Sequence, residues 1–178
     1  MKDRQKALAS IKEDPYYIER LYESPLLDDK DFLLDACKAA GIVKGGQFPL
    51  LQYANKSFRN DREIVMAAVK GDGQSNLYFA DESLQKDKEI VLAAVKQNGL
   101  ALDNADESLQ QDKEIVLAAV QNDGDVLDYV DNSFKKDREI VMAAVNTSGW
   151  ALDYADESIQ KDREIVMAAV KNYGGALD

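Results

Sequence analysis

The stretch DREIVMAAV at residues 61–69 decides the fold, because near-copies of it recur along the chain. Successive copies are spaced by 26, 25, 25 and 25 residues. They begin at Asp87, Asp112, Asp137 and Asp162. Two weaker copies, DRQKALASI at residues 3–11 and DKDFLLDAC at residues 29–37, come before them. Self-similarity at a fixed period of this length indicates tandem repeats, here with seven unit starts.

Each copy predicts a short α-helix that is capped by its own aspartate. The carboxylate of Asp61 can accept hydrogen bonds from free amides of the first turn, where negative charge is also favourable. Residues 64–69 are all apolar, which also suits a buried strand, but the Ala-Ala-Val ending and a later glycine favour a helix. The glycines expected to end these helices with a left-handed backbone are Gly99, Gly124, Gly149 and Gly174. A helix that is apolar all round is expected to lie inside the stack.

A second short helix is predicted at residues 101–105 and in the corresponding segments of the other units. Small alanines there allow close helix packing, and a short link follows at residues 106–111. Leu109 in that link is expected to insert into the core. Its equivalents are Leu84, Phe134 and Ile159.

One such unit cannot bury its own apolar face, whereas stacked units can. We therefore predict an all-α fold, an α-solenoid of about seven short two-helix repeats of roughly 25 residues. Residues 1–46 are assigned to divergent N-terminal repeats and a cap. Residues 47–178 are assigned to regular helical repeats of the same continuous domain.

The charge and the residue content exclude several classes of function. The chain has 33 acidic and 22 basic residues, a net charge of −11, and no histidine. Such a chain repels phosphate backbones, so direct nucleic-acid binding is not expected. Without histidine there is no Ser–His–Asp triad, no Cys–His pair and no histidine-ligated zinc. The single cysteine, Cys37, occupies the repeat position of Val69 and is therefore expected in the core.

No apolar run approaches the roughly 18–20 residues that a membrane span needs, and no signal peptide is recognisable. We therefore expect a cytoplasmic protein that does not enter membranes, and delivery into a host cell by a specialised secretion system stays open.

The abundant carboxylates raise the possibility of acid–base catalysis or Ca²⁺ binding. Clusters such as Asp153, Asp156 and Glu157 recur every 25 residues, whereas a catalytic site needs one singular arrangement. We expect them to form caps and a solvated face, with weak divalent-cation binding as the alternative. No catalytic residue, metal site or cofactor is predicted.

Aromatic side chains give the most specific indication of function. Tyr53, Phe79, Tyr129 and Tyr154 occupy one repeat position, which Asn104 interrupts. They suit either a half-buried ladder that stiffens the stack or a stripe of binding anchors. Trp150 stands where other units have Leu100 and Asp125, which predicts an exposed position and a contact residue, with local packing as the alternative. The candidate partner-binding residues are Trp150, Tyr129, Tyr154, Tyr53, Phe79 and Leu100.

The pattern DREIVMAAV followed by Gly-x-Ala-Leu-x-Tyr-Ala, as at residues 149–155, resembles the repeat called domain of unknown function 4116. The resemblance is close from about Gln47 to the C-terminus and weak before it. It implies tandem helical repeats and at most an interaction role, since the motif contains no catalytic signature. The first two units depart from the pattern, with Asp35 where Ala67 stands later.

The leading hypothesis is a non-enzymatic adaptor or scaffold that binds another protein. The alternative is an acidic mimic of nucleic acid that inhibits a nucleic-acid-binding protein. Its motivation is the net charge and the pairs Asp81/Glu82, Asp106/Glu107 and Asp156/Glu157. Binding by carboxylates alone should fade with salt, whereas binding by aromatic anchors should persist. The last unit stops within its second helix at residues 175–178, so a monomer or a weak dimer through the C-terminal end is expected.

Overall fold

A computed structural model of the chain describes residues 2–40 and 48–172. Over these residues every regular element is a helix and none is a strand. The α-helices are α1 (Lys2–Glu13), α2 (Lys30–Ala40), α3 (Leu50–Tyr53), α4 (Arg62–Val69), α5 (Gly73–Phe79), α6 (Glu82–Gln85), α7 (Lys88–Gln97), α8 (Glu107–Gln110), α9 (Lys113–Asn122), α10 (Arg138–Thr147) and α11 (Arg163–Asn172). The 3-10 helices are Pro15–Leu21, Pro25–Asp28, Lys56–Asn60, Gly99–Asn104, Gly124–Asp128, Phe134–Lys136 and Gly149–Tyr154.

Three of the regular units hold three helical segments, where the sequence predicted two. In the unit that begins at Asp87, the long helix α7 is followed by the 3-10 helix Gly99–Asn104 and by the one-turn link helix α8. The second helix therefore begins two residues before the predicted segment 101–105 and is wound more tightly. A 3-10 helix has three residues per turn, so side chains three apart lie above one another.

The long helices form one layer and the short helices form a second. Each long helix from α1 to α11 contacts the long helix of the next unit, and short helices of neighbouring units also touch. The core lies between the layers, where Ile64, Val65, Ala68 and Val69 and their equivalents in the next three units are fully buried. The alanines Ala101, Ala105, Ala151 and Ala155 are buried as predicted.

The long helices are not covered on all sides, which corrects the expectation that they lie inside the stack. A two-layer arrangement leaves one face of every long helix toward solvent. Met66 and Ala67 lie on that face of α4 and are only partly buried. The equivalent Met167 of α11 is 61% exposed.

The link residues insert into the core as predicted. Leu84 and Phe134 are buried, while Leu109 and Ile159 are partly buried and packed against the core. Every described helix is too short or too polar to cross a lipid bilayer.

The prediction that glycines end the long helices in a left-handed conformation is wrong. Gly99 and Gly124 are the first residues of the 3-10 helices, and neither has a left-handed backbone. An added Cβ at Gly99 would lie 2.7 Å from the carbonyl oxygen of Ala119, and at Gly124 it would lie 2.3 Å from that of Ala144. Glycine is needed because each short helix begins against the long helix of the next unit. Gly174 lies outside the described residues.

The N-cap aspartates act as predicted within their own helices. Asp137 Oδ1 accepts hydrogen bonds from the amides of Glu139 at 3.0 Å and Ile140 at 3.4 Å. The aspartates that cap in the same way are Asp61, Asp87, Asp112 and Asp162. The first unit differs, because α1 begins at Lys2 and Asp3 lies inside it.

The second oxygen of each capping aspartate pairs with a base from the preceding unit, which the sequence did not predict. Lys113 Nζ lies 2.7 Å from Asp137 Oδ2 and 2.9 Å from Glu139 Oε2. The equivalent pairs are Lys30–Asp61, Arg62–Asp87, Lys88–Asp112 and Arg138–Asp162. We call this series the ion-pair ladder. The divergent N-terminal units extend it, since Arg4 pairs with Asp29 and Asp35.

A buried polar network attaches the segment before α4 to the units after it. Asn76 is fully buried where other units have alanine or valine. Its amide oxygen accepts from Leu51 N at 3.0 Å, and its nitrogen donates to Phe48 O at 2.8 Å. Asp72 accepts from Phe48 N at 3.2 Å. The polar side chains of Asp72 and Asn76 therefore bind the protein's own backbone.

We predict that Gly124→Ala lowers the free energy of unfolding by about 2 kcal/mol or more, because its Cβ overlaps the Ala144 carbonyl. Gly71→Ala is the matched control, since a Cβ there meets only Ala68 O at an ordinary 3.5 Å. Urea unfolding of both variants measures the difference. Equal stability of the two would contradict the close-approach explanation.

We also predict that Asp137→Asn removes a pH-dependent part of the stability. The hydrogen bond from Lys113 lowers the pKa of Asp137, ahead of the opposing effect of burial. A lowered folded-state pKa stabilises the protein above the unfolded pKa of about 4, and this stabilisation is lost as the pH falls through the folded value. Asparagine still caps, so we expect a loss of about 0.5–1 kcal/mol at pH 7 that shrinks toward about pH 3.

Urea unfolding at steps from about pH 7 to about pH 3 tests this expectation. Asp103→Asn is the control, because the Asp103 carboxylate is exposed and has no ion pair among the described residues. A deficit for Asp137→Asn that does not change with pH would show that the ion pair contributes nothing.

Candidate binding surface

The aromatic repeat position lies at the C-terminal end of each short helix. Tyr53, Phe79 and Tyr154 are the last residues of their short helices and are half-buried, and Asn104 occupies the same place. Tyr129 follows the last residue of its helix and is 63% exposed. The position is therefore not fully buried in any of these five units.

Neighbouring members of this position lie side by side along the short-helix layer. Tyr53, Phe79 and Asn104 line one shallow groove, together with Tyr16 of the first unit. The pKa of Tyr53 is raised, mainly by burial and next by a hydrogen bond with Glu19. The groove thus joins the aromatic row of the regular units to the divergent N-terminal part.

Farther along the chain, negatively charged carboxylates lie near the aromatic row. The pKa of Tyr154 is raised, first by partial burial and then by the charges of Asp125 and Asp128 of the preceding unit. Tyr129 and Asp153 have smaller effects in the same direction. The phenol therefore lies within electrostatic reach of three carboxylates. The phenol itself stays neutral at physiological pH, because its ordinary pKa is already about 10.

Trp150 is 57% exposed, as predicted from the variability of its repeat position. It lies in the 3-10 helix Gly149–Tyr154, three residues before Asp153. Side chains at this spacing eclipse one another in a 3-10 helix, so Trp150 and Asp153 share one exposed edge. Asp125 and Asp128 have the same relation in the preceding unit.

These observations define one surface, which we call the short-helix surface. It contains exposed or half-buried residues of three consecutive units. They are Leu100, Asp103, Asn104, Asp125, Asp128, Tyr129, Trp150, Asp153 and Tyr154. Of the six predicted partner-binding residues, it includes Trp150, Tyr129, Tyr154 and Leu100. Tyr53 and Phe79 lie on the same layer in earlier units.

Two groups of carboxylates have contrasting surroundings. The capping aspartates of the long helices are held in the ion-pair ladder. Asp125, Asp128 and Asp153 are exposed, and within residues 2–40 and 48–172 no Lys or Arg forms an ion pair with them. The short-helix surface therefore carries carboxylates that the protein does not neutralise itself.

The acidic pairs behind the mimicry hypothesis have local structural roles. Asp106 caps the link helix by accepting from Ser108 N at 3.1 Å, and it lies 3.5 Å from Lys86. Asp81 and Asp156 cap their links in the same way. The adjacent glutamates Glu82, Glu107 and Glu157 are exposed.

Cys37 is buried in α2, as predicted, and burial raises the pKa of its thiol to about 12. The thiolate is the reactive form, so this side chain is inert at physiological pH. No group of three or more potential metal-binding side chains was found among the described residues.

Two exposed features were missed by sequence reasoning. Tyr78 is 64% exposed beside Phe79, with ring centroids 5.0 Å apart in an edge-to-face arrangement. It occupies the repeat position of Asp103, and that alignment was the available signal. Tyr22, in the divergent first unit, is 71% exposed, and no repeat alignment reaches it.

The C-terminal end bears on the dimer hypothesis only in part. Val166 and Val170 of α11 are partly exposed, whereas Val141 and Val145 at the same positions of α10 are fully buried. Residues 173–178 lie outside the described residues.

Neither a search of curated proteins nor a search of solved structures finds a significant match to the chain. The sequence profile of one family matches it five times in overlapping tandem segments. The segments are residues 47–85, 74–110, 87–135, 112–159 and 137–178. Together they cover well over half of the chain and follow the repeat units described above. The chain therefore belongs to the family described as domain of unknown function (DUF4116).

Proposed function

We propose that the chain is an α-solenoid of about seven units that binds another protein through its short-helix surface and catalyses no reaction itself. The observation that carries this proposal is the position of Trp150 and Tyr129. Both are more than half exposed on a surface whose repeat spacing the packed units fix.

Tryptophan and tyrosine are the side chains that most often dominate binding energy at protein interfaces. Each combines a large apolar ring with a polar group and loses little conformational entropy on binding. Stacked repeats present such residues on an extended surface, which suits an elongated segment of a partner. The buried thiol and the carboxylates used as caps support a role without catalysis.

The alternative, an acidic mimic of nucleic acid, depends on the net charge of −11. The ion-pair ladder weakens it, because a carboxylate that already holds a lysine or an arginine has less charge to offer a basic groove. The exposed aromatic rings favour binding by anchors, since a nucleic-acid-binding groove that reads phosphates has no need of them.

We predict that Trp150→Ala weakens partner binding by about 2 kcal/mol while the free energy of unfolding changes by less than about 0.5 kcal/mol. Tyr22→Ala, an exposed aromatic outside the family repeats, is the control. Pull-down from lysate of the source organism or its host, at about 0.1 M and 0.5 M salt, measures partner retention, and thermal unfolding measures stability.

Partners that stay bound at high salt, and that Trp150→Ala loses while Tyr22→Ala keeps, support the proposal. Partners that are nucleic-acid-binding proteins and wash away with salt support the mimicry alternative. A large loss of stability in Trp150→Ala would mean that the indole packs locally and is not an anchor.

A further inference from the structure

The exposed carboxylates of the short-helix surface favour a positively charged ligand. Asp125, Asp128 and Asp153 are exposed carboxylates without an ion pair among the described residues. After partial burial, their charges contribute to the raised pKa of Tyr154. A cationic side chain that reached this surface would gain from several carboxylates at once.

An internal contact of the chain shows how the aromatic position takes a cation. The guanidinium of Arg59 lies over the ring of Phe79, 5.4 Å from its centroid. Arg59 belongs to the link of one unit, and Phe79 ends the short helix of the next. Arg59 Nε also donates to the backbone carbonyl of Leu51 at 3.2 Å, which holds the side chain in place.

At Tyr129, no arginine stands in the repeat position that Arg59 holds at Phe79. The residue equivalent to Arg59 is Gln110, whose amide nitrogen donates to the carbonyl of Ala105 at 3.0 Å. The neutral amide satisfies the carbonyl, and among the described residues no Lys or Arg lies over the Tyr129 ring. At Tyr154 the equivalent residue is Lys135, whose ammonium donates to the backbone carbonyl of Asp128 at 2.7 Å.

The distance between units sets the spacing of a ligand. Neighbouring units stack their long helices, and packed helices lie roughly 8–10 Å apart. A peptide in the extended polyproline II conformation advances about 3.1 Å per residue with three residues per turn, so every third side chain lies on one face and three residues cover one unit. Cationic side chains at every third residue can therefore meet the surface of consecutive units.

We propose that the short-helix surface binds an extended, arginine-containing basic segment of the partner protein, in which one guanidinium occupies at Tyr129 the place that Arg59 occupies at Phe79. A further arginine three residues along the segment meets Asp153 and Trp150. This inference rests on the proposed function and specifies the chemistry of its partner. Arginine is favoured over lysine because its planar group stacks on rings while it pairs with carboxylates.

Two peptides of equal composition test the proposal. One, Gly-Arg-Gly-Ser-Arg-Gly-Ser-Arg-Gly, has an arginine at every third position, and the other, Gly-Gly-Ser-Arg-Arg-Arg-Gly-Ser-Gly, has them in one block. The chain contains a single tryptophan, so the emission of Trp150 reports binding at this surface. Titration of the full chain should give saturable binding that is at least fivefold tighter for the spaced peptide.

A self-blocking variant provides the sharper test. Gln110→Arg copies Arg59 and should place an internal guanidinium over Tyr129, weakening the spaced peptide about fivefold or more. Gln111→Arg adds the same charge at the adjacent, exposed position and should have at most a twofold effect. Asp128→Asn should also weaken binding, whereas Glu82→Gln, which removes an exposed charge in an earlier link, should not.

Equal affinity for the two peptides, or equal effects of Gln110→Arg and Gln111→Arg, would show attraction by overall charge and would overturn the inference. Absence of binding, or binding without a change in tryptophan emission, would overturn it as well. If the natural partner is lost in Trp150→Ala while neither peptide binds, the proposed function stands and only the basic segment is rejected.

Discussion

Each of the long helices α4, α7, α9, α10 and α11 begins at an aspartate whose two carboxylate oxygens make two different contacts. One oxygen accepts from the first amides of its own helix, and the other holds a lysine or arginine from the unit before it. The contact that starts a helix therefore also sets its position against its neighbour. Exposed ion pairs contribute little singly, but here each is tied to a cap, so that the start of the helix and the register of the stack depend on one side chain. The spacing of the aromatic surface depends in turn on this register.

The glycines add a steric condition to this electrostatic one. Because each short helix starts against a backbone carbonyl of the next long helix, the two layers come closer than a side chain would permit. Close approach helps to exclude water from the buried valines and isoleucines between the layers. The outer edge of the short helix varies more between units, since one repeat position there holds Leu100, Asp125 and Trp150 in turn.

Much of this was accessible from the sequence, and the limits have physical causes. The all-helical fold, the caps and the repeat boundaries follow from a period that local chemistry enforces. The burial of Cys37 and the exposure of Trp150 follow from comparing equivalent positions. The ladder was missed because it joins residues about 25 apart, and a charge pattern does not show which neighbour a base reaches. The glycines were misread because composition cannot separate a backbone that needs a positive φ from one that needs empty space. The open face of the long helices was missed because six consecutive apolar residues suggest complete burial, whereas two layers cannot provide it.

The ion-pair ladder also has a direction. In each rung, the base of one unit contacts the capping aspartate of the following unit. The two ends of a stack are therefore chemically different. Two such stacks can continue the ladder across a junction only head to tail, because a two-fold arrangement would place base against base or acid against acid. Because of this asymmetry, a duplicated unit contains both the base and the acid that the ladder needs. An extra copy of about 25 residues, inserted at any junction, brings one base and one acid to the ladder, so every ladder charge at that junction keeps a partner. The array can therefore change length in whole units while its surface keeps the same pitch.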